Sequence, residues 1–287
     1  MSTPLGPRRN ENPRGTYAAQ DSEKELTRLT IHDRLMTATM GGVLAEHADP
    51  TVFRRVLDVG CGPGGWVIEA AQTYLEMSLV GIDISKQMIE HARTQAQAYH
   101  VDDRVKFRVM DALLILDFPA GYFDLVNLRL GFSFLRTWDW PKMLSELLRV
   151  TRPDRVVRIT EPEFMPPSNS PALTRLFEML QCALFRAGHL FTEESLGLID
   201  HLPRLLKQYG CQQVQTKLYT REYRAGTPEG EDFYADWMLC FQTVRPFIQK
   251  WGCGAKDYEA IYQQALEEMR QPDFLATINL LTAWGNR

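Results

Sequence analysis

Four glycines fall within six positions directly behind a short apolar run, in Val56-Leu57-Asp58-Val59-Gly60-Cys61-Gly62-Pro63-Gly64-Gly65-Trp66. The apolar run predicts a strand, and the residues from Gly65 onward predict a helix. Glycine lets a backbone turn tightly and approach a ligand closely, and a helix N-terminus offers free N–H groups to an anion. Gly60, Gly62 and Gly65 also fit the G-x-G-x-x-G spacing of nucleotide-binding turns. A strand, a Gly-rich turn and a helix in that order commit this part of the chain to a βα unit.

The surrounding residues extend the unit into an α/β sheet. β-rich runs stand at Arg55–Val59, Leu79–Asp83, Val105–Met110, Phe123–Asn127 and Val156–Glu161, separated by helical segments at Gly65–Tyr74, Lys86–Tyr99 and Trp140–Val150. Such alternation predicts a parallel sheet with helices on both faces. Upstream, residues 1–15 are polar and rich in Pro, Arg and Asn, which predicts a loose tail. A helical stretch from Ser22 to Glu46 follows, capped at Asp21 or Ser22, with Gly41-Gly42 as an interruption. Beyond Glu161 the pattern changes: four prolines lie within residues 162–171. Helices are then expected near Ala172–Ala187 and Glu193–Tyr209, a strand at Gln213–Tyr223, helices near Glu231–Lys250 and Lys256–Met269, and a last apolar run at Phe274–Trp284. The organisation expected is a tail (1–15), an N-terminal helical cap (16–50), a nucleotide-binding core (51–161), a helical insertion (162–210) and C-terminal strands and helices that complete the sheet (211–287).

Composition narrows the function classes. The formal net charge is −4 over 287 residues, which argues against a general nucleic-acid binder. No apolar run reaches the ~18–20 residues of a membrane span, and the first residues lack a signal-peptide core, so the expected location is cytoplasmic. The five cysteines (61, 182, 211, 240 and 253) form no Cys-x-x-Cys pair and are expected as reduced thiols, with Cys253 between two glycines the one to watch for reactivity. No metal-ligand cluster is expected. Arg149, Arg152, Arg155 and Arg158 recur every third residue, but Pro153 prevents a shared helix face. They read as solvated loop and strand edge.

Three carboxylates decide what the Gly-rich turn would bind. Asp83, in Gly81-Ile82-Asp83 at a strand end 23 residues past Gly60, is placed to accept ribose hydroxyls. Asp111 and Ala112 end the third strand, where they would meet an adenine. Asp58 lies two residues before Gly60 and should point into the ligand crevice. A pyrophosphate beside a carboxylate in a partly desolvated cleft is repelled, whereas an ammonium or a sulfonium is attracted. That favours S-adenosylmethionine over a dinucleotide.

These residues, with Phe123-Asp124-Leu125-Val126, resemble the class I S-adenosylmethionine-dependent methyltransferases over about residues 50–161. The resemblance implies a Rossmann-like seven-stranded sheet, mostly parallel with the last strand antiparallel, and a helical lid. Tyr17, Glu25, Arg28, Leu29 and Gly41-Gly42, together with Trp66, Arg129 and Asp139-Trp140, resemble a narrower group. These are the secondary-metabolism methyltransferases related to fungal global regulators. That likeness implies that the N-terminal helix closes over the cofactor and that Tyr17 and Arg28 reach its methionine end. Arg28 could instead serve as a partner of Glu25. Cys61, Ile84, Met88, Asn127 and Arg129 complete the expected cofactor contacts. The group's usual Lys-Pro-Gly-Gly turn is replaced by Arg152-Pro153-Asp154-Arg155, where Pro153 and Asp154 should keep a turn.

On the acceptor side, Phe132, Phe134, Trp138 and Trp140 put four aromatics into nine residues after the fourth strand, which suggests an apolar pocket. The residues after that strand lack the Asn/Asp-Pro-Pro-Tyr/Phe motif of nucleobase methyltransferases. Glu161 and Glu163, at the end of the fifth strand, and His189, in the insertion, are the candidate proton acceptors. The expected activity is methyl transfer to a small, apolar or aromatic acceptor at O, N or activated C. The alternatives are a non-catalytic or protein- or RNA-directed cofactor-binding regulator and a dinucleotide-dependent oxidoreductase. The oligomeric state stays open, since the N-terminal helices could cap their own protomer or swap onto a second copy.

Overall fold

A computed structural model describes residues 22–193 and 198–287. Tyr17 and the 1–15 tail lie outside the described residues, as do residues 194–197 near the start of the helix expected over Glu193–Tyr209.

The Gly-rich segment forms strand β1 (Arg55–Val59) and helix α2 (Gly65–Thr73), as the residue pattern requires. Around it stand β2 (Ser78–Asp83), α3 (Lys86–Ala98), β3 (Val105–Val109), β4 (Phe123–Arg129), α4 (Trp140–Val150) and β5 (Thr151–Pro162). Helix α1 (Glu23–Met40) precedes them; Ser22 caps it by accepting from the Glu25 N–H, and Gly41 ends it at φ +76°. The C-terminal part is α5 (Pro171–Arg186), α6 (Leu202–Gln208), β6 (Gln212–Arg224), α7 (Pro228–Thr243), α8 (Arg245–Lys250), α9 (Tyr258–Glu268) and β7 (Leu275–Asn286). The helix expected over Glu231–Lys250 is two helices, because Pro246 has no N–H to continue α7 and instead stands in the first turn of α8.

The seven strands form one sheet in the order β3-β2-β1-β4-β5-β7-β6. β1 to β5 pair in parallel, and β7 runs antiparallel to both β5 and β6. The central strands are buried on both faces, which explains why β1 and β4 read as near-continuous apolar runs. One face packs on α4 and α6, the other on α2 and α3. A separate apolar cluster joins α1, α5, α7, α8 and α9 with residues of β6 and β7.

Three expectations need correction. The turn expected at Arg152–Arg155 is an irregularity within β5: pairing with β4 shifts between Phe123 and Leu125, and Asp154 adopts φ +59°. Arg158 is not a solvated edge residue but is fully buried, because β5 is an interior strand. Cys182 and Cys253 are joined in a disulfide rather than held as thiols, tying α5 to the loop after α8; Cys61, Cys211 and Cys240 are free and buried. The bridge closes a sequence separation of 71 residues. Removing it restores chain entropy to the unfolded state, so Cys182→Ser/Cys253→Ser is expected to lose about 2–4 kcal/mol of stability in denaturant titrations.

Candidate active site

The strand order reverses between β1 and β4, and ligands of open α/β sheets bind outside the carboxyl ends of the strands at such a point. Here the Gly-rich turn passes over the end of β1. Gly62 has φ +51°, a left-handed conformation, and a Cβ built on it meets nothing within 4 Å among the described residues. Its N–H donates to Asp83 Oδ2 at 3.0 Å, while Asp83 Oδ1 accepts from the Ser85 N–H at 2.8 Å. Asp83 is therefore fixed at the end of β2, beside the turn. Ser85 in turn caps α3 by accepting from the Met88 N–H at 3.2 Å. Met88 and Cys61 are buried and Ile84 is exposed. At the end of β3, Asp111 Oδ1 accepts from the Leu113 N–H at 2.8 Å, with Ala112 half-buried between them.

The N-terminus of α2 is closed by Asp33, a residue of α1 that the sequence did not single out. Its Oδ2 accepts from the Trp66 N–H at 2.8 Å. A Cβ at position 65 would stand 2.1 Å from that oxygen, so only glycine admits this capping carboxylate. Asp33 Oδ1 forms an ion pair with Arg129 Nη2. Arg129 Nη1 donates to Thr37 Oγ1 at 3.2 Å, and the guanidinium lies 5.7 Å from the Trp66 ring centre. Its Nε is buried and has no hydrogen-bond partner among the described residues. Helix α1 is thus joined to the Gly-rich turn through Asp33 and to the end of β4 through Arg129.

Arg28 lies earlier in α1. It makes two bonds to the Glu25 carboxylate, at 2.7 and 2.9 Å, and one to Asp236 Oδ1 of α7 at 3.3 Å. His32 Nδ1 stands 2.6 Å from Asp236 Oδ2. The structure therefore brings Arg28 to Glu25 in a buried network that fastens α1 to α7.

Asp58, Asn127 and Arg158 occupy one row across β1, β4 and β5, with Asp58 in register with Asn127 and Asn127 in register with Arg158. Asn127 Nδ2 donates to Asp58 Oδ1 at 2.7 Å, and Arg158 Nη1 donates to Asn127 Oδ1 at 2.6 Å. Arg158 continues to Glu46, whose Oε2 accepts from the Tyr219 hydroxyl at 2.8 Å. Burial pushes the Asp58 carboxyl up to about 7, although Arg129 and the Asn127 hydrogen bond pull the other way.

The acceptor-side residues separate sharply. Phe134 lies against the Gly-rich turn, its ring 3.0 Å from where a Gly60 Cβ would stand. Phe132 packs edge-on to Phe164, ring centres 4.5 Å apart. Trp138 is 61% exposed and covers Gly188 on the surface. Trp140 is a correction: it is fully buried with Met143, Leu144 and Leu147 in the core under α4.

The three expected proton acceptors are each held by neighbouring groups. The His189 ring is 1% exposed, and its Nδ1 lies 2.7 Å from the Phe132 carbonyl, so it supports the turn after β4. Burial lowers its pKa. Glu161 is fully buried; its oxygens accept from the Gly131 N–H at 2.7 Å and the Phe132 N–H at 3.3 Å. Burial raises its carboxyl to about 8, against the Phe132 and Gly131 backbone hydrogen bonds, which pull it down. Glu163 Oε2 accepts from Asn279 Nδ2 of β7 at 2.7 Å. Two surface clefts, of about 440 Å³ beside the start of α5 and about 360 Å³ between α7 and α9, include no residue of the Gly-rich turn.

The sheet order, the Gly-rich turn and the acidic ends of β1, β2 and β3 define a class I methyltransferase fold. Residues 56–154 match the family model described as a methyltransferase domain. A demethylmenaquinone methyltransferase from Deinococcus radiodurans is 32% identical over 181 residues, which cover 61% of this chain and 71% of that one. A secondary metabolism regulator from Cochliobolus heterostrophus is 26% identical over 144 residues, 49% of this chain and 43% of that one. Among solved structures, geranyl diphosphate C-methyltransferase from Streptomyces coelicolor, bound to S-adenosyl-L-homocysteine, superposes with a TM-score of 0.51 at 14% identity, covering 93% of this chain and 85% of that one. The chain belongs to the S-adenosylmethionine-dependent methyltransferases. No helix among the described residues is long and apolar enough to cross a membrane.

Proposed function

We propose that this methyltransferase acts on a small, apolar or aromatic acceptor, with Phe132 and Phe134 walling the acceptor side and the helices from residue 162 onward selecting what enters. The observation that carries the cofactor arrangement is the buried Nε of Arg129 at the end of β4, which has no partner among the described residues. A buried donor left unpaired costs about 1–3 kcal/mol, more when charged, and a methionine carboxylate supplies the missing acceptor. Asp83 takes the ribose hydroxyls, Asp111 and Ala112 meet the adenine, Asp58 faces the ammonium group, and Gly60 and Gly62 let the backbone come close. Cys61, Ile84, Met88 and Asn127 stand around this arrangement. S-adenosylmethionine, when bound, supplies a methyl group on a cationic sulfur that leaves as a neutral thioether.

The chain's own contribution is orientation and exclusion of water, the part of catalysis that comes from holding reactants in line. Phe134 against the Gly-rich turn and the Phe132–Phe164 pair support an apolar acceptor. The relative from D. radiodurans, named for demethylmenaquinone, supports a small one. The test is incubation with methyl-labelled S-adenosylmethionine and a panel of quinols, phenols, basic peptides and RNA. Label on an apolar small molecule is the expected result; label confined to peptide or RNA overturns the reading.

A further inference from the structure

We propose that Asn127 and Arg158 are positioning residues that hold the Asp58 carboxylate in place for the cofactor's ammonium group, and so tune cofactor affinity from β4 and β5. The inference rests on the arrangement given above, in which Asp58 meets that group.

The geometry leaves one orientation for each member of the row. A guanidinium only donates, so the Asn127 atom 2.6 Å from Arg158 Nη1 is the amide oxygen. The amide NH2 must then face Asp58, and it does so at 2.7 Å. Register places the three residues side by side on adjacent strands, where their side chains share one face of the sheet. None of them has room to turn, since Asp58 is 2% exposed and Asn127 and Arg158 are fully buried.

The far end of the row is anchored as well. Burial pulls the Glu46 carboxyl upward, but the charge and hydrogen bonds of Arg158 and the Tyr219 hydroxyl hold it below the usual range. Glu46 therefore stays ionised and fixes Arg158. His47 lies beside this pair, its Nε2 3.5 Å from Glu46 Oε1. Around Asp58 itself, Arg129 and Arg158 favour the carboxylate, as does the Asn127 hydrogen bond, while burial and Asp33 oppose it. These opposing effects leave Asp58 titrating near pH 7. Below that pH it is neutral and no longer attracts an ammonium group, so affinity falls as pH falls.

The experiment is calorimetric titration with S-adenosylhomocysteine from about pH 6 to about pH 8, so that Asp58 is followed through its transition. The proteins compared are wild type, Asn127→Ala, Arg158→Lys and the double variant Glu46→Gln/Arg158→Met. The double variant removes both charges together, because Arg158→Met alone would strand the buried Glu46 carboxylate. Wild type is expected to lose affinity as pH falls through about 7. In Asn127→Ala and in the double variant the midpoint moves up by about one pH unit, so that Kd at pH 7 rises about fivefold and the deficit closes in alkali. Arg158→Lys, which keeps the charge, brings the midpoint back toward wild type. A purely structural role would lower thermal stability and leave the midpoint where it is; an unshifted midpoint in both Asn127→Ala and the double variant overturns the proposal. Wild-type affinity independent of pH also overturns it while sparing the cofactor arrangement. No binding by wild type at any pH overturns both.

Discussion

Asp83→Ala is expected to raise the Kd for S-adenosylhomocysteine about a hundredfold or more while the protein stays folded. A carboxylate holding a ribose diol makes two charge-assisted hydrogen bonds of about 1.5–3 kcal/mol each, and every 1.4 kcal/mol is about tenfold in affinity. The same side chain also holds the Gly62 and Ser85 N–H groups, so its loss loosens the turn that carries the cofactor. The fold should survive because Asp83 is only half-buried and lies at the end of β2 rather than in the core. Asp83→Asn keeps an oxygen toward one partner and should fall between the two. Calorimetry checks this directly, and a Kd for Asp83→Ala within about threefold of wild type would contradict the assignment.

Trp140→Ala is expected to give the largest loss of stability among single substitutions in the aromatic run after β4, about 3–5 kcal/mol in denaturant or thermal unfolding. The indole is fully buried beneath α4, packed against Met143, Leu144 and Leu147, and its removal leaves a cavity that α4 cannot close without leaving the sheet. Trp138→Ala, two residues earlier, removes a ring that is 61% exposed and should change stability far less. The contrast separates a core tryptophan from a surface one within a segment that looks uniformly like a pocket. Equal losses for the two substitutions would contradict the burial described here.

The α/β core was legible because its signals are local. Apolar runs, capping serines and a Gly-rich turn act within a few residues, and the strands and helices of residues 55–162 formed close to where their residues predict them. Trp140 also carried a local signal: with Met143, Leu144 and Leu147 it has the spacing of a buried helix stripe, and that stripe outweighs the neighbouring aromatics. The site's supporting residues were harder to find because their partners are distant in the chain. Asp33 caps a helix that begins 32 residues later, and nothing in its own neighbourhood marks it; the signal available was Gly65, a helix-start glycine whose missing Cβ makes room for it. Arg158 stood in a series of arginines at every third residue and took its character from the series. Only the sheet order, which places β5 inside rather than at an edge, distinguishes it. Cys182 and Cys253 are 71 residues apart, beyond any spacing rule.

What the Gly-rich turn binds is tested most directly by titration of the wild-type protein and Asp58→Ala with S-adenosylhomocysteine and NAD. The expected result is binding of S-adenosylhomocysteine by wild type, marked weakening in Asp58→Ala as the ammonium loses its partner, and no binding of NAD. Binding of NAD that is unchanged or improved in Asp58→Ala, with none of S-adenosylhomocysteine, would contradict it and make the turn a dinucleotide site.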